Sequence, residues 1–512
     1  MDRRSFLKRS GGICFSTTLG NYGFGGPLDE PSLDHIGLHP FIEAHPEAVF
    51  IRKTNLASKD DAGGKKKEAE ELAGRIFTLK KGAGLPLSGK LAFKPNLTSS
   101  KGTGLTYGIV TDPFVVEGLI EGIKKMPMDP RQIYIREGLS TEQPVTGFSD
   151  MARRSGVHYG DEDSRIPTTL ECPGGVVFRR TKYLGPFAHE DSQLINVAKF
   201  KTHSMGLTLC VKNLQGTNIN PYIRFCGGLQ NVIAQDFQPD AQAHVDEIFT
   251  RHRKAGLPRW ETDKAAWMEM WIQRTIDSYS LIKPKVLLNV IEGVYAQNGD
   301  GFDGGPGKDG TPEIFMTNML IFGKDAFRVD IIGHWIGGHE PGNFGLFHIG
   351  QERRVSNALN PRNIPVYIWE DSGPQLTPLD KVHRTPLATP YLPRNEETKF
   401  HMCDQAFSYP SESPSAHLSG QNQSALRTLG SGKPHRSSSS HVVMEFTLPK
   451  DGPVRLEISN VSGECLHRWQ HDWLQKGIHM TEWNTRRISP GTYFGRLTSP
   501  GMELFEAFQF FS

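Results

Sequence analysis

The chain has 512 residues, of which 37% are hydrophobic and 22% are charged, and its formal net charge is +2. This composition excludes a chain that is disordered throughout and a membrane protein with many spans. It also argues against a dedicated nucleic-acid-binding protein, because such proteins usually contain a strongly basic domain. The 54 glycines and 34 prolines predict many sharp loops, so the sequence is typical of a large, loop-rich globular protein.

The first residues resemble a twin-arginine export signal. Arg3 and Arg4 precede Phe6 and Leu7, and a short stretch of small, weakly apolar residues follows at 11–19. That stretch is shorter than the roughly 20 apolar residues that cross a bilayer, and the sequence has no other run of this kind. We therefore expect residues 1–30 to be a signal region for the Tat translocase and expect no transmembrane anchor. The alternative is a basic N-terminal tail.

Between residues 31 and 400, short apolar strands alternate with amphipathic helices. Strand patterns occur at 90–94, 132–136, 194–200, 286–291 and 319–322. A helix is predicted after Asp112, because a carboxylate at the N-cap and Pro113 at the first helical position both suit a helix start. The alternation predicts an α/β domain with a mostly parallel sheet and helices on both faces. Residues 221–280 are rich in Trp and charge and predict a helical insertion.

The composition changes near residue 400. Of the thirty-three residues from 408 to 440, eleven are Ser, which is typical of a flexible linker, and we place the linker at 401–440. Short alternating strands separated by turns follow it. Residues 441–512 therefore predict a small β-sandwich.

Charged side chains alternate at the end of the strand that begins near Leu194. In an extended chain, Lys199, Lys201 and His203 project to one face, where two ammonium groups repel each other unless they share an anion or a carboxylate. The end of a strand in an α/β sheet is also where such folds bind ligands. An ordinary solvated edge strand is the alternative.

Polar residues end the other predicted strands as well. If these ends share one edge of the sheet, they form a single cleft of mixed charge; the residues are Lys94, Asn96, Glu137 and Glu292, with Asp112 at a helix start. Asp112 equally suits a helix cap, and Glu137 equally suits support of a turn.

Two glycine-rich stretches are further candidates. The loop 298–310 holds six glycines, which permit backbone N–H groups to approach a ligand, although a plain wide turn fits as well. Its carboxylates do not match the spacing of an EF-hand. His334 and His339 are five residues apart rather than four, so they do not form a helical zinc pair, and with His348 they are expected to be core or surface histidines.

The six cysteines are scattered, and no Cys-x-x-Cys occurs. This disfavours a sequence-local iron–sulfur or zinc site, so no cofactor and no metal is assigned. In an exported protein disulfides can form, and Cys210 and Cys226 are the nearest pair, but the sequence does not establish a bond between them.

Residues of roughly 85–345 resemble the family known as domain of unknown function 362. The matching pieces, in order, are Lys94-Pro95-Asn96, Thr111-Asp112-Pro113, Glu137-Gly138, Asn196 to His203, Lys212-Asn213-Leu214-Gln215-Gly216, Ile291-Glu292-Gly293, Gly299-Asp300-Gly301, Gly323-Lys324-Asp325 and Val329-Asp330. The resemblance implies a fold and a cleft, but no reaction, and it strengthens the expectation that Lys199, Lys201, His203 and Lys212 are functional. Some members carry ferredoxin-type clusters, whose cysteines this chain lacks, and many have Asp where this chain has Glu292.

The C-terminal strands resemble a different group of modules. Val454 to Val461, Trp483-Asn484 and Pro490 to Leu497 are similar to the Ig-like module of flagellar hook-capping proteins. They are also similar to the C-terminal sorting domains of the type IX secretion system in Bacteroidota. The resemblance implies a cell-surface or secreted destination and contact with that machinery.

Together these features predict an exported protein, periplasmic or at the cell surface, whose α/β domain binds a small anionic ligand, with an enzymatic role left open. The expected ligand-binding residues are Lys94, Asn96, Lys199, Lys201, Lys212, Asn213, Glu292 and Asp330. His203, Glu137 and Asp112 are the candidate catalytic residues, and the reaction class stays open. The alternatives are a non-catalytic surface receptor and a protein that handles a metal or an iron–sulfur-related cofactor.

Overall fold

The computed structural model describes residues 34–97, 108–138, 146–160, 167–203, 205–219, 234–262, 264–301, 304–307, 310–390, 404–409, 426–429, 441–448, 450–484, 488–489, 491–500 and 502–510. Within these ranges the α-helices are α1 (Pro40–Ala44), α2 (Ala62–Ile76), α3 (Pro113–Lys124), α4 (Phe148–Ser155), α5 (Cys210–Asn213), α6 (Ala241–Lys254), α7 (Lys264–Ile282), α8 (Ala326–Ile336) and α9 (Gly345–Glu352).

The strands of the same ranges fall into an N-terminal and a C-terminal group. The first group is β1 (His35–Leu38), β2 (Val49–Lys53), β3 (Phe77–Lys80), β4 (Leu85–Pro86), β5 (Lys90–Pro95), β6 (Ile133–Ile135), β7 (His158–Tyr159), β8 (Thr168–Glu171), β9 (Arg180–Tyr183), β10 (Ser192–His203), β11 (Gly206–Thr208), β12 (Val286–Asn298), β13 (Glu313–Gly323), β14 (Val366–Glu370) and β15 (Gly373–Leu376). The second is β16 (Leu426–Leu429), β17 (His441–Leu448), β18 (Gly452–Asn460), β19 (Cys465–Leu474), β20 (Gly477–Asn484), β21 (Gly491–Ser499) and β22 (Met502–Phe510).

A ten-stranded mixed sheet organises the first group. Its order is β15-β14-β2-β13-β12-β10-β5-β6-β7, and β11 pairs with β10. β10 runs parallel to β5 and β12, whereas β13 runs antiparallel to both of its neighbours. The α/β class is confirmed, but the sheet is mixed, because the glycine-rich connection after β12 returns the chain directly into β13 without a crossover helix among its described residues.

Alternate residues of the central strands face two separate hydrophobic clusters. Ala92 and Leu194 contribute to one cluster, and their neighbours Phe93 and Ile195 contribute to the other. Helices α7, α8 and α9 pack in the first cluster, and α2, α3 and α4 pack in the second, so helices cover both faces as expected. The parallel strands β5, β10 and β12 therefore bring their carboxyl ends to one edge of a buried sheet.

The C-terminal strands form two antiparallel sheets, with the orders β16-β17-β20 and β19-β18-β21-β22. Side chains from both sheets, including Phe446 and Leu456, share one hydrophobic cluster. This region contacts the α/β domain through Phe494, whose ring lies 5.4 Å from that of Phe41, and through the Val461 carbonyl, which accepts a hydrogen bond of 3.0 Å from Nε2 of His39. Two stretches of the expected linker are described. One, 404–409, contacts the α/β domain, and the other is β16.

No helix of the described ranges is both long enough and apolar enough to span a bilayer. The signal region at 1–30 lies outside those ranges.

The helical insertion encloses a buried histidine between two carboxylates. In the described part of 221–280, α6 and α7 pack together, and His252 contacts Oε2 of Glu269 at 2.8 Å through Nδ1 and Oε2 of Glu352 at 2.6 Å through Nε2. Arg251 also binds Glu352, at 2.5 Å. Burial lowers the pKa of His252, but the hydrogen bonds and charges of Glu269 and Glu352 outweigh it and leave the pKa raised.

We predict that the contribution of His252 to the free energy of unfolding falls as the pH rises. Because its pKa is raised on folding, this contribution is fully present below the unfolded value of about 6.5 and is lost as the pH passes the folded value. Urea unfolding of the wild type and of His252→Gln, compared on both sides of this window, measures it as the difference between the two proteins. His348→Gln is the control, because burial lowers the pKa of His348 and its contribution has the opposite trend. A pH-independent difference for His252→Gln would contradict the prediction.

Candidate functional site

Lys94 ends β5 in a fully satisfied buried position. Its Nζ donates to Oε2 of Glu137 at 2.7 Å, to Oδ1 of Asn213 at 3.0 Å and to the Pro95 carbonyl at 2.8 Å, which uses all three donors of the ammonium group. Burial lowers the pKa of Lys94. Gly216 packs against this group, since a Cβ there would lie 2.1 Å from Oε1 of Glu137 and would displace that carboxylate. Lys94, Glu137 and Asn213 thus form one interlocked group.

A chain of asparagine side chains extends this group across the sheet. Nδ2 of Asn213 donates to Oδ1 of Asn196 at 2.8 Å, and Nδ2 of Asn196 donates to Oδ1 of Asn289 at 2.9 Å. Asp330 is on α8, and its carboxylate lies at the start of the short helix α5. There it accepts the N–H groups of Cys210 and Val211 at 2.7 and 2.8 Å. Burial raises the pKa of Asp330 to about 8. The contacts of Asp330 therefore fix α5, which carries Lys212 and Asn213.

A second polar group occupies the opposite face of the sheet. Lys199 donates to Oε2 of Glu292 at 2.6 Å, and the same oxygen accepts the N–H of Asp112 at 3.1 Å. Tyr295 donates its hydroxyl to Oδ2 of Asp112 at 2.9 Å, and Lys65 from α2 donates to that oxygen at 2.5 Å. Asp112 is also the N-cap of α3, so the expected capping role and a place in the site are both present.

The Lys199–Glu292 pair is completely buried, and Nζ of Lys199 lies 3.4 Å from the centroid of the Tyr295 ring. Burial lowers the pKa of Lys199 and raises the pKa of Glu292, because a low-dielectric environment disfavours the charged form of each group. The pair is therefore held by its short hydrogen bond and by the N–H groups of Asp112 and Val294 that donate to Glu292.

A third group lies at the very end of β10. The pKa of His203 is well below its usual value because of burial and because of the positive charges of Lys212 and Lys201. Lys201 is buried, and Lys212 donates to Oγ1 of Thr208 at 3.3 Å. The register of β10 against β12 shifts between Lys199 and Lys201, so the regular alternation assumed from the sequence is interrupted there. The positive charges of Lys201 and Lys212 thus both act on the imidazole of His203.

The glycine-rich loop after β12 closes over this third group. The N–H of Gly301 donates to the Thr202 carbonyl at 3.2 Å, and a Cβ at position 301 would lie 2.8 Å from Cδ2 of His203. Gly301 also has a φ of +59°, which a residue with a side chain rarely adopts. Residues 302–303 and 308–309 of this loop lie outside the described ranges.

The structure thus brings the expected residues to one edge of the sheet but divides them into three groups. Asn96 lies beside them: its N–H donates to Oγ1 of Thr111 at 2.8 Å, and its carbonyl accepts the Thr111 N–H at 2.9 Å. The sequence did not identify Lys65 on α2 or Tyr295 on β12 as site residues. Tyr295 lies three residues after Glu292 on an extended strand, and this proximity was the only signal for it.

No group of three or more His, Cys, Asp or Glu side chains suited to a metal occurs within the described ranges. Cys172, Cys210 and Cys465 are free thiols, whereas Cys226 lies outside those ranges. His334 and His339 are buried in the core, and His348 is partly buried.

We predict that Lys199→Met lowers the free energy of unfolding by about 3–5 kcal/mol, because it leaves the carboxylate of Glu292 buried without its partner. Adding Glu292→Gln to that variant should restore part of the loss, since it removes the unpaired buried charge and the amide oxygen still accepts one of the two backbone N–H groups. Chemical denaturation measures all three proteins. Lys67→Met is the control, because the exposed Lys67–Glu71 pair at 3.9 Å contributes less than about 1 kcal/mol. Additive losses in the double variant would contradict the prediction.

Comparison with known proteins finds one family model. Residues 91–334 match the model of a family described as domain of unknown function, DUF362. This match includes β5, β10 and β12 and all the residues of the three groups except Lys65. Neither the curated proteins nor the solved structures yielded a match. The match supports the domain family that the sequence motifs resemble.

Proposed function

We propose that the α/β domain binds a small anionic ligand at the carboxyl end of β10, through Lys201, His203 and Lys212. The observation that carries the proposal is the arrangement at Thr208, which lies opposite Lys201 in the pairing of β10 with β11 and accepts a hydrogen bond of 3.3 Å from Lys212. Two ammonium groups therefore come to the strand end that carries His203, and such a cluster attracts an anion. Its position at a strand end, beneath a glycine-rich loop, is where α/β folds place their ligands.

We assign different roles to the three groups. Lys94 and Lys199 form ion pairs with Glu137 and Glu292, and we assign to them the positioning of β5, β10 and β12. We assign the same positioning role to Asn213, Asp330 and Glu292, whose contacts hold α5 and the strand ends. Lys201 and Lys212 supply the charge that the ligand meets.

His203 is the candidate for proton transfer. Burial and the charges of two lysines lower the pKa of His203, and a bound anion that offsets the lysine charges makes it easier for the imidazole to accept a proton. Glu137 and Asp112 are each bound to a lysine, so we assign them a positioning role and not a catalytic one.

We also propose that the chain is exported by the twin-arginine route and that its C-terminal strands form an Ig-like sorting module. Arg3 and Arg4 support the first part. The shared hydrophobic cluster of the two small antiparallel sheets supports the second.

For the anion site, we predict that Lys201→Met and Lys212→Met each weaken binding of a small anion about tenfold. Hydrogen bonds to charged groups contribute about 1.5–3 kcal/mol, and 1.4 kcal/mol corresponds to a factor of ten in affinity. Isothermal titration of the full chain at low salt with inorganic phosphate, sulfate and oxalate as probes measures the effect.

Lys67→Met controls for the loss of one positive charge, because Lys67 is exposed on α2. Unchanged affinity in both site variants, with circular dichroism showing them folded, would overturn the proposal. Chemical change of a bound probe that His203→Gln abolishes identifies an enzyme, whereas binding without change identifies a receptor.

For export, we predict that changing Arg3 and Arg4 together to Lys retains the chain inside the cell. The twin-arginine machinery reads the arginine pair itself, so conserving the charge does not rescue recognition. Fractionation of cells that express both forms measures the distribution, and Lys8→Arg is the control. Equal amounts of both forms outside the inner membrane would refute the proposed route.

A further inference from the structure

Two buried histidines outside the anion site each keep one ring nitrogen without a hydrogen-bond partner. His334 is near the end of α8, and His339 follows it after a tight turn; both are 2% exposed. Within the described ranges, Nε2 of His334 and Nδ1 of His339 have no partner. Buried polar atoms in proteins are nearly always paired, so two orphans in neighbouring rings need an explanation.

The other nitrogen of each ring determines its tautomer. Nδ1 of His334 contacts the Asp330 carbonyl at 2.8 Å, and Nε2 of His339 contacts the Leu387 carbonyl at 3.2 Å. A carbonyl oxygen only accepts, so each of these nitrogens carries the proton. The two orphan nitrogens are therefore unprotonated lone pairs. Histidines that ligate metals typically donate their other N–H to a carbonyl in this way.

The turn after α8 brings the two rings together. Gly338 has a φ of +84°, and the N–H of His339 returns to the His334 carbonyl at 2.9 Å. The ring centroids are 6.2 Å apart, with the planes at 85°. A cation lying between two ring nitrogens, about 2 Å from each, separates the ring centroids by roughly 6 Å.

We propose that His334 and His339 hold a two-coordinate, soft monovalent cation, of which Cu(I) is the biological representative. Imidazole suits copper among the transition metals, and linear coordination by two nitrogens satisfies Cu(I). A divalent ion needs three or four protein ligands, and the described ranges offer no third His, Cys, Asp or Glu here. The surroundings suit a low charge, since the rings of Phe344 and Phe347 lie 5.1 and 4.9 Å from that of His334.

Charged groups near the pair are themselves paired. Arg259 binds Asp404 at 2.6 Å, and Arg384 lies 3.9 Å from Glu340. This pairing reduces the repulsion that a monovalent cation would meet.

The test is a titration of the full chain with Cu(I), under anaerobic reducing conditions, against a chromophoric Cu(I) chelator. Ag(I) serves as a redox-inert second probe. Because thiols compete for both ions, the protein carries Cys465→Ser and is alkylated beforehand. We expect one equivalent per chain, bound at least about tenfold more weakly in His334→Gln and His339→Gln. His39→Gln is the matched control, since His39 is equally buried and both of its ring nitrogens are hydrogen-bonded.

X-ray absorption of the Cu(I)-loaded protein with its native histidines keeps the proposal testable if the variants fail to fold. Two nitrogen scatterers at about 2.0 Å support it, whereas a sulfur scatterer near 2.3 Å overturns it by placing the metal on cysteine. The absence of uptake, or uptake that both histidine variants retain, also overturns it and leaves a bridging water as the partner of the two nitrogens.

Discussion

The completely buried ion pair between Lys199 and Glu292 is the interaction on which the functional edge of the sheet depends. It joins β10 to β12. Glu292 also accepts the N–H of Asp112, the residue that precedes α3. Lys65 then ties α2 to Asp112. Two carboxylates, those of Glu292 and Asp112, thus connect two strands and two helices at the place where the parallel strands end.

The last residues of β10 are constrained by that anchor. Two residues after Lys199, the strand has shifted its register against β12, so that Lys201 lies opposite Gln297 and His203 lies beside Gly301 of the glycine-rich loop. On the other face, the Lys94–Glu137 pair and Asp330 fix α5, which supplies Lys212. The positive group around His203 is therefore assembled from two elements, each held by a separate buried carboxylate.

The sequence predicted the α/β class, the helix start at Asp112 and the polar strand ends, because hydrophobic periodicity and capping are local properties. It did not predict that β13 is antiparallel, since strand direction depends on how a loop returns the chain. Nor did it separate Lys199 from Lys201 and His203, because a shift in register is set by pairing with a distant strand. Lys65 escaped notice for the same reason: its partner Asp112 lies 47 residues away. His334 and His339 were judged on helical spacing, which cannot describe the left-handed turn at Gly338.

The concentration of buried charge at one edge of the sheet is best explained by positioning rather than by stability. The attraction within a buried ion pair does little more than offset the free-energy cost of removing its charges from water. Apolar side chains of similar size would stabilise the fold at least as well. Elsewhere β10 and β12 do bury apolar side chains, such as Val197 and Val290. Carboxylates and ammonium groups, in contrast, accept only a few geometries, and Lys94 and Glu292 each have three hydrogen-bond partners here. Such groups hold the strand ends in one arrangement, as a site for a small charged ligand requires.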